Sequence, residues 1–553
     1  MQELLLAMLL AMAASVAQSA DLAAKTVGVS PVSGAAEQLN FSALESRGAV
    51  IGEIRIANNN IFDLNDPAEN RALFRFANRA HITTQKDVIY QQLLFTPGDK
   101  FSSQAIEESE RLIRANRYIQ NASVRPVAVS GDVVDLEVAT SDVWTLMPKL
   151  AWSRSGGTNK TAYGVKETNL FGTGVELEVA FKSDVDRDSS SIKYRDRHLG
   201  DSWYTLGAYL ADNSDGKVLS LQLLEPFYSL NSRTSRGMEY LDSDKVESFY
   251  SGGDRVSEYR HSEQASNLFL GWSAGLRDGY SKRFLVGLAT EVHEFSGLPE
   301  SDWLQGPVPE NRKLIYPYVG FELLEDNYEK TSNQEQIGRV EDRFLGTHFF
   351  ANVGLASAAA GSDRDALLLE TGIEKGFGSS ADRSLFLSAS LDTRIEKGGV
   401  ANLLLDTRAR YYRRQSERSL LYVGLSAGLG TNLDLDQHYE LGGDSGLRGY
   451  PLRYQGGDKR VLLTIEQRYF TDWYPWHLFR VGGAVFVDVG RAWGDTPVAQ
   501  TNSELLRDVG FGLRIGNDRS GFGRMTHIDI AMPLDGDGQI DDVQFLISTK
   551  KSF

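Results

Sequence analysis

The sequence contains no cysteine, which excludes thiol catalysis, zinc–thiolate sites and iron–sulfur clusters. It also lacks long apolar runs: beyond the extreme N-terminus, no stretch approaches the roughly 20 apolar residues that a membrane-spanning helix needs. The protein is therefore either soluble or crosses a membrane as strands. Its 553 residues include 53 glycines, 22 tyrosines and 8 tryptophans, and this composition favours a large β-barrel with aromatic girdles.

Clustered positive charge is also scarce. The formal net charge is -16, whereas binding to nucleic acid requires grouped Lys and Arg residues. One basic run with interleaved aromatics, "RARYYRR" at 408–414, is better interpreted as a barrel strand with interfacial tyrosines. The eight histidines show no ligand spacing in the sequence, so we expect neither a metal site nor another cofactor.

The N-terminus has the features of an exported protein. The apolar run "LLLAMLLAMAASVA" at 4–17 is too short to span a membrane and is followed by small residues, which predicts a signal peptide over 1–20. Residues 21–49 are rich in Ala, Ser and Gly and are interpreted as a linker.

Residues 50–141 have the pattern of a small α+β domain. Alternating apolar and polar residues indicate strands, and apolar pairs seven residues apart indicate the second helix. The helix-forming segments end at Pro97 with Gly98 and at Ile119. The predicted order is a strand at 52–59, helices at 83–95 and 102–119, and strands at 122–129 and 132–140.

This element order and the sequence motif "TPGDKFSSQAIEESERLIRANRYI" at 96–119 resemble the polypeptide-transport-associated module, called POTRA. Only one copy is present in the sequence. The resemblance implies a periplasmic domain that can receive unfolded proteins and accessory factors. The stretch from Asn60 to Lys86 is longer than the usual connection in such a module.

Residues 142–553 change to repeated alternation of apolar and polar residues, as in "GVELEVAFK" at 174–182 and "RVLLTIEQRYF" at 460–470. Strands with one apolar face must close into a barrel in lipid, because an open edge would leave backbone groups unpaired. At roughly 25 residues per strand and connection, the length predicts about 16 antiparallel strands. The expected fold is thus a transmembrane β-barrel preceded by one POTRA domain.

One arginine stands out because it lies in a glycine-rich loop, "GGDSGLRGY" at 442–450. In the later strand "LFRVGGAVFVDVG", alternation turns Phe486 and Asp488 toward the lumen, and Glu466 faces the same way on the preceding strand. If the loop folds inward, Arg448 can pair with both acids, and the loop becomes an internal clasp.

The two motifs together resemble the outer-membrane protein assembly superfamily typified by BamA and TamA. That family carries an inward-folded loop that docks on an F-x-D-x-G strand. The matching residues of this chain are Leu447, Arg448, Gly449 and Tyr450 in the loop, and Glu466, Phe486, Asp488 and Gly490 in the strands. The last strand ends in Phe553 with Phe545 and Ile547 in step, similar to the terminal signal of outer-membrane proteins.

The resemblance implies a function in the outer membrane of a Gram-negative cell, with the POTRA domain in the periplasm. Such a barrel opens sideways between its first and last strands, and the exposed edges template client strands. The expected partners are unfolded outer-membrane proteins, lipid and lipopolysaccharide, and periplasmic chaperones or accessory proteins. Two alternatives stay open: export of one dedicated protein through the lumen, as in two-partner secretion, and a passive pore.

Enzymatic and calcium-binding interpretations are less favoured. "GWSAG" at 271–275 and "GLSAG" at 424–428 match the G-x-S-x-G pattern, but neither passes from a strand into a helix as a nucleophile elbow does. Acidic runs such as "NLDLD" at 432–436 lack the spacing of a calcium loop. We therefore expect no catalytic residue.

Overall fold

The computed structural model describes residues 41–298, 306–521, 525–535 and 540–550, and it consists of a small α/β domain and a β-barrel. The predicted signal peptide and residues 21–40 of the predicted linker lie outside the described residues. Within the described part of the chain, no helix is both long enough and apolar enough to cross a membrane.

The small domain has a three-stranded sheet in the order β1, β3, β2, with β1 parallel and β2 antiparallel to β3. Its elements are α1 (Phe41–Ser46), β1 (Val50–Asn59), α2 (Ala72–Ala80), α3 (Lys86–Tyr90), α4 (Ser103–Arg114), β2 (Ile119–Ser130) and β3 (Val133–Asp142). The helix α4 begins where the Ser102 hydroxyl accepts the Ala105 N–H. Its Ile106 and Ile113, seven residues apart, are buried against the strands.

The small domain differs from the prediction in several places. The helices predicted at 83–95 and 102–119 are shorter and span Lys86–Tyr90 and Ser103–Arg114. Residues 41–49, expected to be linker, include α1, whose Leu44 is buried in the core of this domain. The long connection after β1 contains the unpredicted helix α2, whose Phe74 stacks on Phe62 at 4.3 Å. Both helices are short, six and nine residues, whereas a helical period is read over a window of roughly 11–18 residues.

The rest of the described chain forms one closed antiparallel barrel of 20 strands. The first ten strands of the wall are β4 (Leu146–Ser155), β5 (Thr158–Glu167), β6 (Glu176–Ser183), β7 (Asp188–Asp196), β8 (Thr205–Asn213), β9 (Gly216–Glu225), β10 (Thr234–Ser251), β11 (Asp254–Arg277), β12 (Tyr280–Gly297) and β13 (Arg312–Glu325). The other ten are β16 (Thr347–Ala356), β17 (Ala366–Gly378), β18 (Arg383–Glu396), β19 (Gly399–Ser416), β20 (Ser419–Thr431), β23 (Lys459–Phe470), β24 (Phe479–Trp493), β25 (Leu506–Asn517), β26 (Met525–Pro533) and β27 (Gln544–Lys550). Four short strands are not part of the wall: β14 (Tyr328–Ser332) and β15 (Val340–Phe344) form a hairpin after β13, and β21 (Tyr439–Leu441) and β22 (Gln455–Gly457) lie in the loop after β20.

The closed antiparallel barrel is confirmed, but the predicted number of about 16 strands is wrong. The estimate assumed long connections, whereas strands such as β4 and β5 are ten residues long and are joined by residues 156–157 alone. Because the strands are short and the turns are tight, the same length of chain forms more strands. Because the number of strands is even, the first strand begins and the last strand ends at the same end of the barrel, beside the small domain.

Two ends of the barrel are distinguished below. The near end carries the turns beside the small domain, such as 226–233, and the far end carries the loop of residues 432–458. Around the outside runs an exposed apolar band; on β11 and β12 it includes Leu268, Leu270, Trp272, Phe284, Val286 and Leu288. Alternate residues of the same strands face the lumen.

Candidate functional site

The loop of residues 432–458 folds into the lumen from the far end. Its two short strands, β21 and β22, pair with each other. The side chains of Leu447, Tyr450 and Tyr454 are buried and pack with Leu441 of the same loop and with the wall residues Ala492 and Leu506. Apolar contacts therefore hold the loop against the strands β24 and β25.

Arg448 lies at the centre of this docked loop, and its guanidinium forms a fork with one carboxylate. Its Nε donates to Asp488 Oδ2 at 2.6 Å and its Nη2 donates to Asp488 Oδ1 at 3.0 Å. The Nη1 donates to Glu466 Oε2 at 3.0 Å. The guanidinium carbon also lies 3.3 Å from the centre of the Phe486 ring. A buried guanidinium requires such compensation, and planar, bidentate pairing provides it.

The backbone and the neighbouring tyrosine of the loop add further contacts. The Gly449 N–H donates to Asp508 Oδ2 at 3.0 Å, and the Tyr450 hydroxyl lies 2.8 Å from the Arg507 carbonyl oxygen. At Gly446, φ is +123°, and an added Cβ would lie 2.1 Å from Leu462 Cδ2. Only glycine fits this backbone conformation and close approach.

The structure thus brings together the loop residues Leu447, Arg448, Gly449 and Tyr450 with Glu466, Phe486 and Asp488. Gly490 lies further along β24, where an added Cβ would come within 3.0 Å of Leu441 Cδ2. Its role is to let the loop approach the wall, whereas the three other wall residues face the guanidinium. The function of this arrangement as a clasp stays a prediction.

Sequence reasoning missed four charged residues that extend the network: Arg468, Asp508, Arg514 and Asp529. Arg468 Nε donates to Glu466 Oε1 at 3.0 Å, and Arg514 Nη1 donates to Asp529 Oδ1 at 2.5 Å. All four are buried. The available signal was strand alternation, since Arg468 is two residues from Glu466 and therefore on the same face.

The near end of the lumen holds a second structure, the hairpin of β14 and β15. The side chain of Ile337, in its tip, is buried among lumen-facing residues of the wall; these are Phe386, Tyr412, Leu420, Phe470, Ala484 and Met525. They come from β18, β19, β20, β23, β24 and β26. The tip, residues 333–339, therefore extends across the near mouth of the barrel.

The hairpin tip is joined directly to the charged network. Arg468, which binds Glu466, also donates from Nη1 to the Gln334 carbonyl oxygen at 2.9 Å. The Tyr412 hydroxyl donates to the Glu335 carboxylate. Because Glu466 also accepts from Arg448, one chain of charged hydrogen bonds connects the far-end loop to the near-end hairpin.

The base of the same hairpin binds helix α4 of the small domain. Arg114 donates from Nε and Nη2 to the two oxygens of Asp342, at 2.8 and 2.7 Å. Lys330 Nζ donates to Glu110 Oε2 at 2.6 Å. Beside it, Glu108 accepts the Leu230 N–H at 2.8 Å, and burial raises the pKa of this carboxyl.

A second contact with the small domain comes from the turn "NLFGTG" at 169–174. Asn169 Nδ2 donates to Thr84 Oγ1 at 2.8 Å, and the Gln85 N–H donates to the Gly172 carbonyl oxygen at 2.9 Å. The small domain is therefore attached to the barrel wall and to the hairpin that enters it.

The seam between the last and first strands is the third feature of interest. Across β27 and β4, Ile547 and Arg154 form the only paired position among the described residues. The next strands, β26 and β27, pair from Met525 with Lys550 through Ala531 with Gln544. Phe545 is exposed on the outside of β27. Phe553, the other aromatic of the predicted terminal signal, lies outside the described residues.

The remaining sequence candidates lie in the wall and its loops. Both G-x-S-x-G strings fall within strands, β11 and β20. The acidic run at 432–436 turns back to the wall, where Asp434 accepts from Arg394 and Asp436 accepts from Arg312. These carboxylates thus neutralise lumenal arginines.

Comparison with known proteins agrees with the resemblance inferred from the motifs. Residues 395–551 match the Omp85 superfamily domain, a region that includes every residue of the clasp. The sequence matches none of the curated proteins with which it was compared. The recognition of this superfamily from Arg448, Asp488 and their neighbours is therefore confirmed.

Three solved structures are similar to this chain at low identity. BamA from Haemophilus ducreyi lacking POTRA domains 1-3 is 14% identical, with 91% of this chain and 85% of that chain covered and a TM-score of 0.39. CdiB from Acinetobacter baumannii is 13% identical, with 91% and 74% covered and a TM-score of 0.46. CdiB from Escherichia coli is 14% identical, with 91% and 76% covered and a TM-score of 0.47.

Proposed function

Because residues 395–551 of this chain are an Omp85 superfamily domain, we propose that the protein assembles or inserts β-barrel proteins into the outer membrane. In this proposal the apolar band faces lipid and lipopolysaccharide, and the small domain is a POTRA domain in the periplasm. Its clients are unfolded outer-membrane proteins, with chaperones or accessory proteins contacting the POTRA domain.

The observation that carries the proposal is the seam. With one paired position between β27 and β4 in the described residues, this edge has backbone groups available to a new strand. An incoming strand can add to either edge by β-augmentation while the rest of the wall keeps its full pairing. Such a step depends on hydrogen bonding of the backbone, so the proposed role requires no catalytic residue and no cofactor.

The clasp and the hairpin support the same proposal. Both occupy the lumen, one from each end, so that the wall away from the seam is braced from inside. In the proposed mechanism the seam between β27 and β4 opens, while the strands β23 to β26 stay in place because Arg448 and its acidic partners hold them.

A disulfide across the seam tests the proposal, and the chain has no native cysteine to interfere. We expect the double variant Arg154→Cys with Ile547→Cys to block client assembly when the disulfide is formed. Reduction of the disulfide should restore assembly. The measurement is the amount of folded, heat-resistant client barrel that forms in vesicles. Ile530→Cys with Phe545→Cys, a pair within the wall, is the matched control. Full activity with the seam locked would exclude lateral opening.

Secretion of one dedicated protein through the lumen is the second candidate. The 20-stranded wall favours it, because a barrel with more strands is wider and leaves more space for a chain. Depletion of the protein followed by quantitative proteomics of the outer membrane and the medium separates the two roles. Loss of many barrel proteins supports assembly, whereas loss of one secreted protein alone supports export.

A further inference from the structure

Three side chains with metal-binding atoms converge on the lumenal wall of β11 and β12. His261 and Glu263 are two residues apart on β11 and therefore share a face. His293 on β12 pairs directly with Glu263 in the register of the two strands. One ligand atom from each of the three lies within 4.8 Å of the others.

The cluster lies beyond the apolar band, toward the far end of the barrel. The outward apolar residues of β12 reach Leu288, and His293 lies five residues further along the strand, roughly 17 Å at about 3.4 Å per residue. His293 also lines a lumenal cavity of about 810 Å³. Ions can therefore reach the cluster from water without crossing the apolar part of the wall.

The spacing of the two imidazoles suits a shared cation. His261 Nε2 and His293 Nδ1 lie 3.0 Å apart. Two imidazole nitrogens bound at about 2.0–2.1 Å to one tetrahedral ion are roughly 3.3 Å apart. Small side-chain rotations therefore suffice to bind the ion, and Glu263, which is half-buried, can turn its carboxylate to become the third ligand.

The surroundings hold the first imidazole in place. His261 is buried, and its ring stacks on Phe295 with 4.5 Å between ring centres. Two cations of the same wall lie near the imidazoles. Lys245, directly opposite His261 on β10, is paired with Glu247 at 2.6 Å, and Arg312 is paired with Asp436 at 2.7 Å. Both positive charges are thus balanced locally.

We propose that His261, Glu263 and His293 bind a divalent transition-metal cation in the far part of the lumen. Two histidines and one carboxylate with an open fourth position form a ligand set typical of Zn²⁺. The ion joins neighbouring strands of the wall, close to the clasp loop that contributes Asp436. This site is independent of the proposed assembly role.

The test uses the full-length protein in detergent, purified with a tag that contains no histidine and stripped of metal with a chelator. Zn²⁺ is titrated by calorimetry, and Co²⁺ is titrated by its visible absorption, which reports tetrahedral coordination. We expect one equivalent to bind. His293→Gln, His261→Ala and Glu263→Gln should each weaken binding at least about tenfold, because two remaining ligands hold these ions poorly.

His198→Gln is the matched control, since His198 lies in a near-end loop against Trp203, with 4.9 Å between ring centres. Heat-resistant migration in gels shows whether each variant is folded, and the nearly isosteric Glu263→Gln replaces any histidine variant that is not. Absence of saturable binding in the unmodified protein would overturn the proposal. So would equal binding by the three variants and the control, because the metal would then lie elsewhere.

Discussion

At the scale of single residues, Arg448 combines burial, a bidentate acid and an aromatic ring in one position. It is 6% exposed, and Asp488 is fully buried. Such a pair adds little net stability by itself, because desolvation of both charges opposes their attraction. Removal of one partner is costly, however, since the remaining charges stay buried without compensation.

Arg448→Ala should therefore destabilise the barrel by about 3–5 kcal/mol, because it leaves Asp488 and Glu466 without their shared cation. The measurement is the temperature at which the barrel loses its compact migration in gels. Arg448→Lys should have an intermediate effect, since an ammonium group lacks the planar fork.

The control is Arg507→Ala, which breaks an exposed pair with Asp535 and should leave the melting temperature nearly unchanged. Equal melting of the Arg448→Ala variant and the unmodified protein would show that the loop is not held by this residue.

At the scale of elements, the hairpin of β14 and β15 is the least expected part of the chain. The other near-end connections that the structure describes in full are two to eight residues long, such as 278–279 between β11 and β12 and 226–233 between β9 and β10. The hairpin instead places Ile337 in an apolar cluster inside the mouth. Burial of one such side chain contributes roughly 1.5–3 kcal/mol and therefore favours the inserted position of the tip.

Ile337→Asp should release the tip, because a carboxylate placed in this apolar cluster loses its hydration. We expect a higher ionic conductance of the barrel in planar bilayers. Val340→Asp, at an exposed position of the same hairpin, is the control and should leave the conductance unchanged. Unchanged conductance of Ile337→Asp would mean that the tip does not limit the passage of ions.

At the scale of the whole molecule, the loop, the network, the hairpin and the small domain are in continuous contact. Arg448 binds Glu466, Arg468 binds both Glu466 and the Gln334 carbonyl, and the hairpin base binds α4. A shift of the small domain can therefore reach the hairpin through the ion pair of Arg114 and Asp342.

A double-mutant cycle of Arg114→Ala and Asp342→Ala measures this link. We expect a coupling free energy of about 1–3 kcal/mol, because the pair is bidentate and largely shielded from water. The measurement is the opening free energy of residues 328–344 from hydrogen exchange. Arg125→Ala with Glu137→Ala, a pair whose arginine is exposed, should have no effect on this segment. Additive effects of the Arg114 and Asp342 variants would exclude the link.

The sequence by itself determined the features that depend on local pattern. Alternation predicted the barrel and the inward direction of Glu466, Phe486 and Asp488, because successive side chains of a strand point to opposite faces. Glycines around Arg448 predicted a loop of fixed shape, since their backbone conformations and close approaches exclude other residues.

Only the tertiary structure decided the number of strands in the barrel and the entry of the hairpin into the lumen. It also decided which further charged residues join the network around Arg448, namely Arg468, Asp508, Arg514 and Asp529. Each of these depends on which segments become neighbours around a closed wall, and contacts between separate segments leave no period in the sequence. Arg468 meets Gln334 across 134 positions of the chain. Closure of the barrel together with entry of the hairpin brings these two residues within hydrogen-bonding distance.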